Sequence, residues 1–308
     1  EEVIYCSLLL RKPGQGELAS PRREPDMTLI YGGINAANTM EGFENAFMTN
    51  GTPFVILIPN LDRHFEHIEQ YRTTNRTPRP GHASIASFRK YGEWDDAIGA
   101  GFFSGRYTST LVAAGAVARR ILKAHGIEVF SYVKEAAGIR MPAMDYDACR
   151  KQVDAYRALR REYDLIHTMV FKEGRIKPGM RFVEKVAVLG EVEKVIPDLE
   201  EKKAFDREEA RAKFGCHPVM NCPDLEAAEA MRRKIVEVRD AGDSSGGQVE
   251  VVVDGVPAGM GEPCFEKLDG ELGRMMSIGT IKAVEIGAGI DVKDMTSSAC
   301  NDQMRIED

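Results

Sequence analysis

The chain has 308 residues, of which 43% are hydrophobic and 29% are charged, and its formal net charge at pH 7 is −7. This length is enough to bury a large core in one or two domains, while the acidic balance argues against nucleic acid as the main partner. Because the sequence has no run of eighteen apolar residues, no membrane span is expected.

Hydrophobic patterning predicts an alternation of strands and helices along the chain. Apolar runs rich in β-forming residues predict strands near residues 27–34, 53–59, 127–133, 182–189, 248–253 and 281–286. Helical spacing predicts helices near residues 61–71, 106–124, 146–163, 205–213, 224–240 and 264–277. Asp224 is placed to cap the fifth of these helices, and Gly242 is placed to end it. The alternation fits a layered α/β or α+β domain.

The most informative stretch joins a histidine turn, residues 79–82, to a glycine loop, residues 99–105, that leads into a helix from about Arg106 to Lys123. The first N–H groups of a helix lack intrahelical partners and attract anions. Ser104 is a candidate N-cap, and the Arg106 guanidinium suits phosphate. The residues alone predict a phosphate pocket with His82 as a candidate proton donor. The alternatives are a solvent-filled turn and a structural histidine.

Other charged and sulfur-containing residues allow weaker interpretations. A local basic cluster can bind a small anion, or it can be a solvated charged face; its members are Arg11, Lys12, Arg22 and Arg23. The six cysteines form no CxxC pair and suit a reducing cytosol, so a cytoplasmic location is expected. The sequence begins with glutamate rather than methionine, so the true start is expected to be absent or processed.

Two groups of residues have some metal-ligand chemistry. The first is Cys216-His217 with Cys222, which is not followed by the second ligand pair of a structural zinc site. The second is His64 and His67, which lie three residues apart on a predicted helix and are expected to face solvent. No metal site is predicted from either group.

Several ordered motifs resemble the chorismate synthase family. RPGH, KYG, the G-x-G-x-x-S-G-R-x-T run at 99–108 and VAAGA resemble that family's RPGHAD, KYG, GGGRSSARET and VAAGAIA blocks. Upstream, RKPGQGELASPRREPD and NGTPFVILIPNLDR also match. Downstream, MNCPDLEAAEAM, GDSSGG, VEVVVDGVPAGMGEPCFEKLD and MSIGTIKAVEIGAG follow in the family's order. Ordered blocks across residues 11–302 are far more specific than one motif, and the chain is identified as a member of this family.

The resemblance implies an α+β fold, a single large β-α-β sandwich with internal pseudo-symmetry that forms a homotetramer. It implies a lyase of the shikimate pathway, which makes precursors of aromatic amino acids. The reaction is the 1,4-anti elimination of phosphate from 5-enolpyruvylshikimate 3-phosphate to give chorismate, with reduced FMN as cofactor, and the family is also associated with NADP. Residues 140–219 exceed the family's usual connection and are interpreted as an insertion, in which the charge-dense helix YRALRREYD is a solvated face.

Roles carry over to positions that match the family's motifs. His82 falls on the histidine assigned to proton exchange with reduced flavin. Ser104 and Arg106 fall on the second serine and the arginine of RSSAR, which line the flavin and phosphate site. Further candidates are the substrate-binding residues Arg11, Lys12, Arg22 and Arg23, and the flavin-binding positions Ala299 and Cys300, where the family has polar residues.

The glycine loop departs from the family pattern. Phe102 and Phe103 replace the first arginine and serine of RSSAR. Losing an arginine at a phosphate pocket removes a charge-assisted contact of roughly 1.5–3 kcal/mol. The two phenylalanine rings can instead stack on a flavin or fill the pocket. Tyr107 also replaces the usual glutamate, and Ser84 replaces the aspartate of RPGHAD.

Two catalytic blocks of the family do not occur in this sequence. GESHG carries a second histidine that protonates departing phosphate, and GRHDP carries an aspartate that assists proton removal. Three explanations stay open: a fragment of a longer enzyme, one half of a split enzyme whose partner chain supplies these blocks, or a diverged homologue. The diverged homologue is the alternative function, binding FMN or a phosphorylated ligand without this chemistry.

Overall fold

The computed structural model describes five main stretches of the chain and some short segments between them. The described residues are 4, 7–8, 10, 18, 28–36, 47–59, 69–70, 81–95, 98–162, 170–171, 174–175, 181–186, 190–195 and 207–301. The chain divides into two compact units, each built from two separate segments. Unit 1 comprises residues 1–67 and 109–255, and unit 2 comprises residues 68–108 and 256–308.

The described helices and strands have the following bounds. The helices are α1 Ser84–Tyr91, α2 Thr108–Ala124, α3 Tyr146–Glu162, α4 Arg207–Phe214, α5 Leu225–Asp240 and α6 Leu268–Gly273. The strands are β1 Leu29–Tyr31, β2 Ile34–Ala36, β3 Phe47–Thr49, β4 Val55–Leu57, β5 Glu128–Ala136, β6 Ile139–Arg140, β7 Val170–Phe171, β8 Gly174–Arg175, β9 Arg181–Val186, β10 Gly190–Val195 and β11 Gly247–Asp254.

Every described strand pair of unit 1 is antiparallel. β1 pairs with β4, β2 with β3, β7 with β8 and β9 with β10, while β11, β5 and β6 form a three-stranded sheet in that order. In the β5–β11 ladder Phe130 faces Val252, and a bulge interrupts the register between Gln248 and Val249. Antiparallel sheets mixed with helices confirm the predicted α+β class.

The main core of unit 1 lies between the β5–β11 sheet and the helices α3 and α5. Phe130 and Tyr132 of β5 alternate inward and pack in one cluster with Val153 of α3 and Met231 of α5. Glu250 of β11 is half-buried, where it accepts a hydrogen bond from the Tyr132 hydroxyl at 3.1 Å and pairs with Lys134. This partially buried carboxylate is therefore satisfied by both a donor and a cation.

The start and end of α5 agree with the sequence analysis. Asp224 is the N-cap, and its carboxylate accepts the Ala227 backbone N–H at 2.7 Å. Gly242 has a φ of +77° and donates to the Arg239 carbonyl at 2.8 Å. A left-handed glycine just beyond the last turn ends a helix at little steric cost. Both predicted helix boundaries are confirmed.

Two smaller clusters pack elsewhere among the described residues of unit 1. Ala113 and Ala116 of α2 pack with Ile4 and Leu8, beside partly buried residues of β1 and β4. Leu159 of α3 packs with Ala210 of α4 and with Cys216. Arg160 is only 8% exposed, so the prediction that YRALRREYD is a solvated face is wrong at this residue. Leu159, the preceding residue, is fully buried as well, so this part of α3 faces protein rather than solvent.

The described part of unit 2 consists mainly of short helices and turns. Besides α1 and α6 it contains 3₁₀ turns at Gly92–Trp94, Ile98–Phe103, Gly105–Tyr107, Arg274–Ser277 and Gly289–Asp294. Among the described residues of this unit, Ser87 is the one buried side chain. Its hydroxyl donates to Asp95, which ties the middle of α1 to the turn that follows.

Most predicted elements form with adjusted bounds. The strand predicted at residues 281–286 is wrong, because the described residues offer it no strand partner and Ile281 and Ile286 stay exposed. The helix predicted at 264–277 begins later, since Cys264 has a φ of +74°, outside the helical region. Of the helix predicted at 61–71, only residues 69–70 are described, and they are helical.

None of the helices in the described stretches combines the length and the apolar composition needed to cross a bilayer. The interpretation of residues 140–219 as an insertion stays a prediction.

Candidate active site

The histidine turn places His82 directly before α1. Gly81 has a φ of +70°, a conformation that glycine adopts without the steric cost of a Cβ. His82 is half-buried, and its Nδ1 accepts the backbone N–H of Ser84, the first residue of α1, at 3.1 Å. A side-chain acceptor thus satisfies a helix-terminal donor that has no intrahelical partner. The imidazole has a defined orientation beside the N-terminus of α1.

The glycine loop forms tight 3₁₀ turns rather than leading directly into an α-helix. Residues 105–107 form one such turn, and α2 follows it at Thr108, whereas a helix starting at Arg106 was predicted. Ser104 is the N-cap of that turn, as predicted, and its Oγ accepts the Arg106 backbone N–H at 3.3 Å. The Tyr107 N–H donates to the Ser104 carbonyl at 3.0 Å.

These bonds change the interpretation of the loop as an anion site. The expectation that the N–H groups at the start of the helix await an anion does not hold for Arg106 and Tyr107, because both N–H groups bond within the loop. The cause is the 3₁₀ turn, whose tighter winding brings the Ser104 side chain and carbonyl within reach. The half-buried Arg106 guanidinium therefore becomes the main candidate for attracting a phosphate here.

An aromatic surface lies on the same loop. The Phe102 side chain is 73% exposed and Phe103 is 44% exposed. The Tyr107 ring packs edge-on against Phe102 with centroids 5.8 Å apart. The sequence analysis treated Tyr107 only as a replacement for glutamate and did not foresee this contact. The sequence feature that could have indicated this contact is the short separation of the two aromatic residues, five positions apart with Gly105 between them.

The flavin-binding candidates near the carboxyl end of the described chain also lie in unit 2. Ala299 and Cys300 are exposed, and both backbone N–H groups donate to the Thr296 carbonyl, at 2.9 and 3.0 Å. They form a turn whose side chains project into solvent. The substrate-binding candidates lie outside the described residues; these are Arg11, Lys12, Arg22 and Arg23.

Unit 2 therefore contains each described site candidate. His82, residues 102–106 and residues 299–300 come from its two segments, which are separated along the chain by residues 109–255. A cavity of about 460 Å³ also occurs in this unit, lined by Gly259, Gly261, Glu262, Glu266, Glu271 and Arg274. Because its three carboxylates outnumber a single arginine, which pairs with Glu271 at 3.1 Å, this cavity is unsuited to a phosphorylated ligand.

A buried histidine in unit 1 has a different environment. His217 is 3% exposed; its Nε2 lies 3.1 Å from a carboxylate oxygen of Glu229, and its Nδ1 accepts the Met220 N–H at 3.1 Å. Burial lowers the pKa of His217, against the opposing effect of Glu229. Hydrogen bonds from Arg232, and then from His217, lower the pKa of Glu229 to about 2. This histidine is part of the folded framework.

Cys216, His217 and Cys222, which have metal-ligand chemistry, lie in the described part of unit 1. No group of three ligand-type side chains converges among the described residues. Burial raises the pKa of the Cys216 and Cys222 thiols to about 11. His64 and His67 lie outside the described residues.

Comparison with known proteins gives a consistent result. A family model described as chorismate synthase matches residues 1–308. A chorismate synthase of Methanocella arvoryzae is 35% identical over 309 residues, which is 100% of this chain and 63% of the relative. One from Acetivibrio thermocellus is 32% identical over 302 residues, which is 98% of this chain and 59% of the relative.

A solved structure shares the fold. The chain matches a crystal structure of chorismate synthase with a TM-score of 0.52 at 21% identity, covering 98% of this chain and 65% of that one. The chain spans about three fifths of the length of the curated relatives it matches.

Proposed function

Because the chain belongs to the chorismate synthase family, we propose that it carries the flavin and phosphate site of a lyase that makes chorismate. The reaction is the 1,4-anti elimination of phosphate from 5-enolpyruvylshikimate 3-phosphate. A C–H bond and the C–O bond to phosphate break, a double bond forms, and a proton and phosphate leave without net redox change. The substrate is a small phosphorylated molecule, and its place is the shikimate pathway.

One observation carries this proposal. Two segments far apart in sequence contribute His82, Ser104, Arg106 and the turn at 299–300 to a single compact unit. These are positions that match the family's acid–base, phosphate and flavin motifs, so their grouping supports one site. The supporting chemistry is a half-buried cation, a half-buried imidazole and exposed aromatic rings in the same unit.

The donor set fits FMN as a class of ligand. Phe102 presents an exposed ring suited to stacking on a flat heteroaromatic system, and the Arg106 guanidinium suits a phosphate. When bound, reduced FMN would supply electron density transiently while the C–H bond breaks and phosphate departs. The loop's own contribution is to bind and orient, because the Ser104 cap and the Phe102–Tyr107 contact hold its backbone and rings in place.

The roles of the remaining residues follow from their charge. Arg106 binds the phosphate dianion and stabilises the charge that develops as it leaves. His82 exchanges the proton that the reaction requires with the reduced cofactor. Arg11, Lys12, Arg22 and Arg23 hold the substrate carboxylates and phosphate. We further propose a cytoplasmic homotetramer in which a partner chain or further sequence supplies the second histidine and the aspartate of the family.

Turnover tests the proposal directly. The chain is incubated anaerobically with reduced FMN and 5-enolpyruvylshikimate 3-phosphate, and release of inorganic phosphate and chorismate is followed. The expected result is phosphate and chorismate in equal amounts, dependent on reduced FMN. A control with oxidised FMN alone is expected to give neither product. Binding of FMN without turnover, in the complete gene product as well, would favour the diverged homologue and remove the lyase.

A further inference from the structure

The hydrogen bond from the Ser84 backbone to the His82 imidazole determines which ring nitrogen carries the proton. The nitrogen of Ser84 lies 3.1 Å from Nδ1. A backbone N–H can donate but cannot accept, so Nδ1 presents its lone pair to it. A neutral imidazole carries one proton, and in this contact that proton is on Nε2.

The contact is built into the start of α1. Ala83 is the N-cap and makes no side-chain capping bond, while the His82 ring accepts the N–H of Ser84, the first residue of the helix. The left-handed Gly81, with a φ of +70°, turns the chain just before the histidine. The Ser87 N–H bonds to the Ala83 carbonyl at 2.9 Å and closes the first helical turn. The imidazole is thus an acceptor at the N-terminus of α1.

We infer that the Ser84 backbone amide is a positioning group that fixes His82 as the Nε2–H tautomer, so that Nε2 donates a hydrogen bond to an anionic ligand atom. The class of ligand, an anionic flavin or a phosphate, rests on the proposed function. In this form the Nε2–H group of His82 stabilises a negatively charged ligand atom by donating a hydrogen bond to it. Proton exchange requires the Ser84 contact to open, because an imidazolium carries a hydrogen on both nitrogens and Nδ1 can then no longer accept.

The tautomer is measurable without any ligand. In the 308-residue chain labelled with ¹⁵N-histidine, the imidazole nitrogens are observed by long-range proton–nitrogen NMR correlation at a pH where His82 is neutral, with His82→Gln assigning the signals. The expected result is an unprotonated Nδ1 and a protonated Nε2. A predominant Nδ1–H tautomer overturns the inference. Ser84→Ala keeps the amide and removes only the hydroxyl, so a changed tautomer in that variant also overturns the assignment to the amide.

Two replacements of His82 separate donation at Nε2 from occupation of Nδ1. His82→Gln keeps an N–H donor near the Nε2 position, and His82→Asn keeps an acceptor for Ser84 but loses the distal donor. Calorimetry with FMN and with inorganic phosphate is expected to give affinities within about threefold of the original for Gln. Asn is expected to lose about tenfold or more, as for a hydrogen bond to a charged group.

Equal losses in the two variants overturn the donor role of Nε2. Absence of FMN and phosphate binding in the unsubstituted chain would count against the proposed function, while the NMR tautomer still decides the inference. The opposite combination is turnover with reduced FMN in a chain whose His82 is the Nδ1–H tautomer. That result would support the lyase and exclude the positioning role of Ser84.

Discussion

At the scale of single residues, His82 is the side chain on which the proposed proton exchange depends. Replacing it by alanine is expected to abolish phosphate release, because no other imidazole among the described residues of unit 2 can take its place. Its half-buried position means that folding should survive the change. Phosphate release and circular dichroism check the two expectations.

The matched control for this variant is His125→Ala, which removes an exposed imidazole in unit 1. It is expected to retain activity. If His82→Ala releases phosphate at the original rate, His82 has no part in the chemistry.

Phe102 offers a test of the altered glycine loop. Phe102→Arg restores the family's arginine and is expected to tighten binding of inorganic phosphate about tenfold, the lower end of what a charge-assisted hydrogen bond provides. Phe265→Arg is the matched control, since Phe265 is a 95% exposed phenylalanine in the same unit. Calorimetry measures both. A similar gain in phosphate affinity in both variants would show that the added net charge causes the effect. No gain in Phe102→Arg would mean that the loop directs position 102 away from the anion.

His217 predicts a pH dependence of stability. Its pKa is lowered in the folded chain from the ordinary value of 6.5, chiefly by burial, and Glu229, Arg211 and Arg232 are the charged groups that act on it. The unfolded chain therefore binds more protons as pH falls below about 6.5, so the unfolding free energy decreases from there down through the folded pKa. Above 6.5 this contribution is fully present.

Urea unfolding at pH 7.5, 6.5 and 5.5 checks this expectation. His217→Gln is expected to be less stable at all three pH values but to show a shallower decline, and His125→Gln is expected to keep the original slope. An unchanged slope in His217→Gln would assign the decline to other groups.

At the scale of secondary-structure elements, the N-cap of α5 makes a defined contribution. Asp224→Ala removes the acceptor of the Ala227 N–H and is expected to lower the unfolding free energy by about 1 kcal/mol. Asp224→Ser retains a capping oxygen and should recover most of that loss. Denaturant unfolding of the three chains decides the matter, and an alanine variant as stable as the original would show that the cap adds nothing.

The elements also show what the sequence can predict. α5, β5 and β11 were predictable because their apolar residues recur with the spacing of a helix or a strand. Residues of β5 and α5 pack together in the main core. α1 was missed because it is only eight residues long, and its apolar side chains, Ile85, Phe88 and Tyr91, stay exposed while Ser87 is buried. The strand predicted at 281–286 had the right composition, but a strand requires a neighbour that composition does not encode.

The candidate site was predicted in part. The Ser104 cap follows from residue type, and the placement of His82 before a helix was not foreseen. The bonding of the Arg106 and Tyr107 N–H groups inside the loop depends on a 3₁₀ winding, which local sequence specifies poorly. The hydrogen bond between Nδ1 of His82 and the Ser84 N–H likewise depends on the orientation of the ring, which the sequence does not specify.

At the scale of the whole molecule, the two units differ in how much they bury. Among the described residues, unit 1 has three clusters of buried side chains, whereas unit 2 buries Ser87. Local opening is therefore expected to cost less free energy in unit 2. Native-state hydrogen exchange should be faster for amides of α1 than for those of β5.

Ligand binding provides the companion test. If FMN binds in unit 2, saturating FMN is expected to slow exchange in α1 and at residues 98–107, because a ligand that binds only the closed form stabilises it in proportion to its occupancy. Amides of the β5–β11 ladder serve as the internal control and should change little. Slower exchange confined to unit 1 would exclude the proposed location.

The division of unit 2 into two segments has a consequence for synthesis. A ribosome delivers residues 68–108 long before residues 256–308, and the whole of 109–255 intervenes. Nascent chains must wait for the later segment, so His82 and Arg106 acquire their full surroundings within unit 2 only after residues 256–308 have been synthesised. Premature stops upstream of residue 256 would yield polypeptides that lack the later segment of unit 2 and therefore cannot assemble that unit.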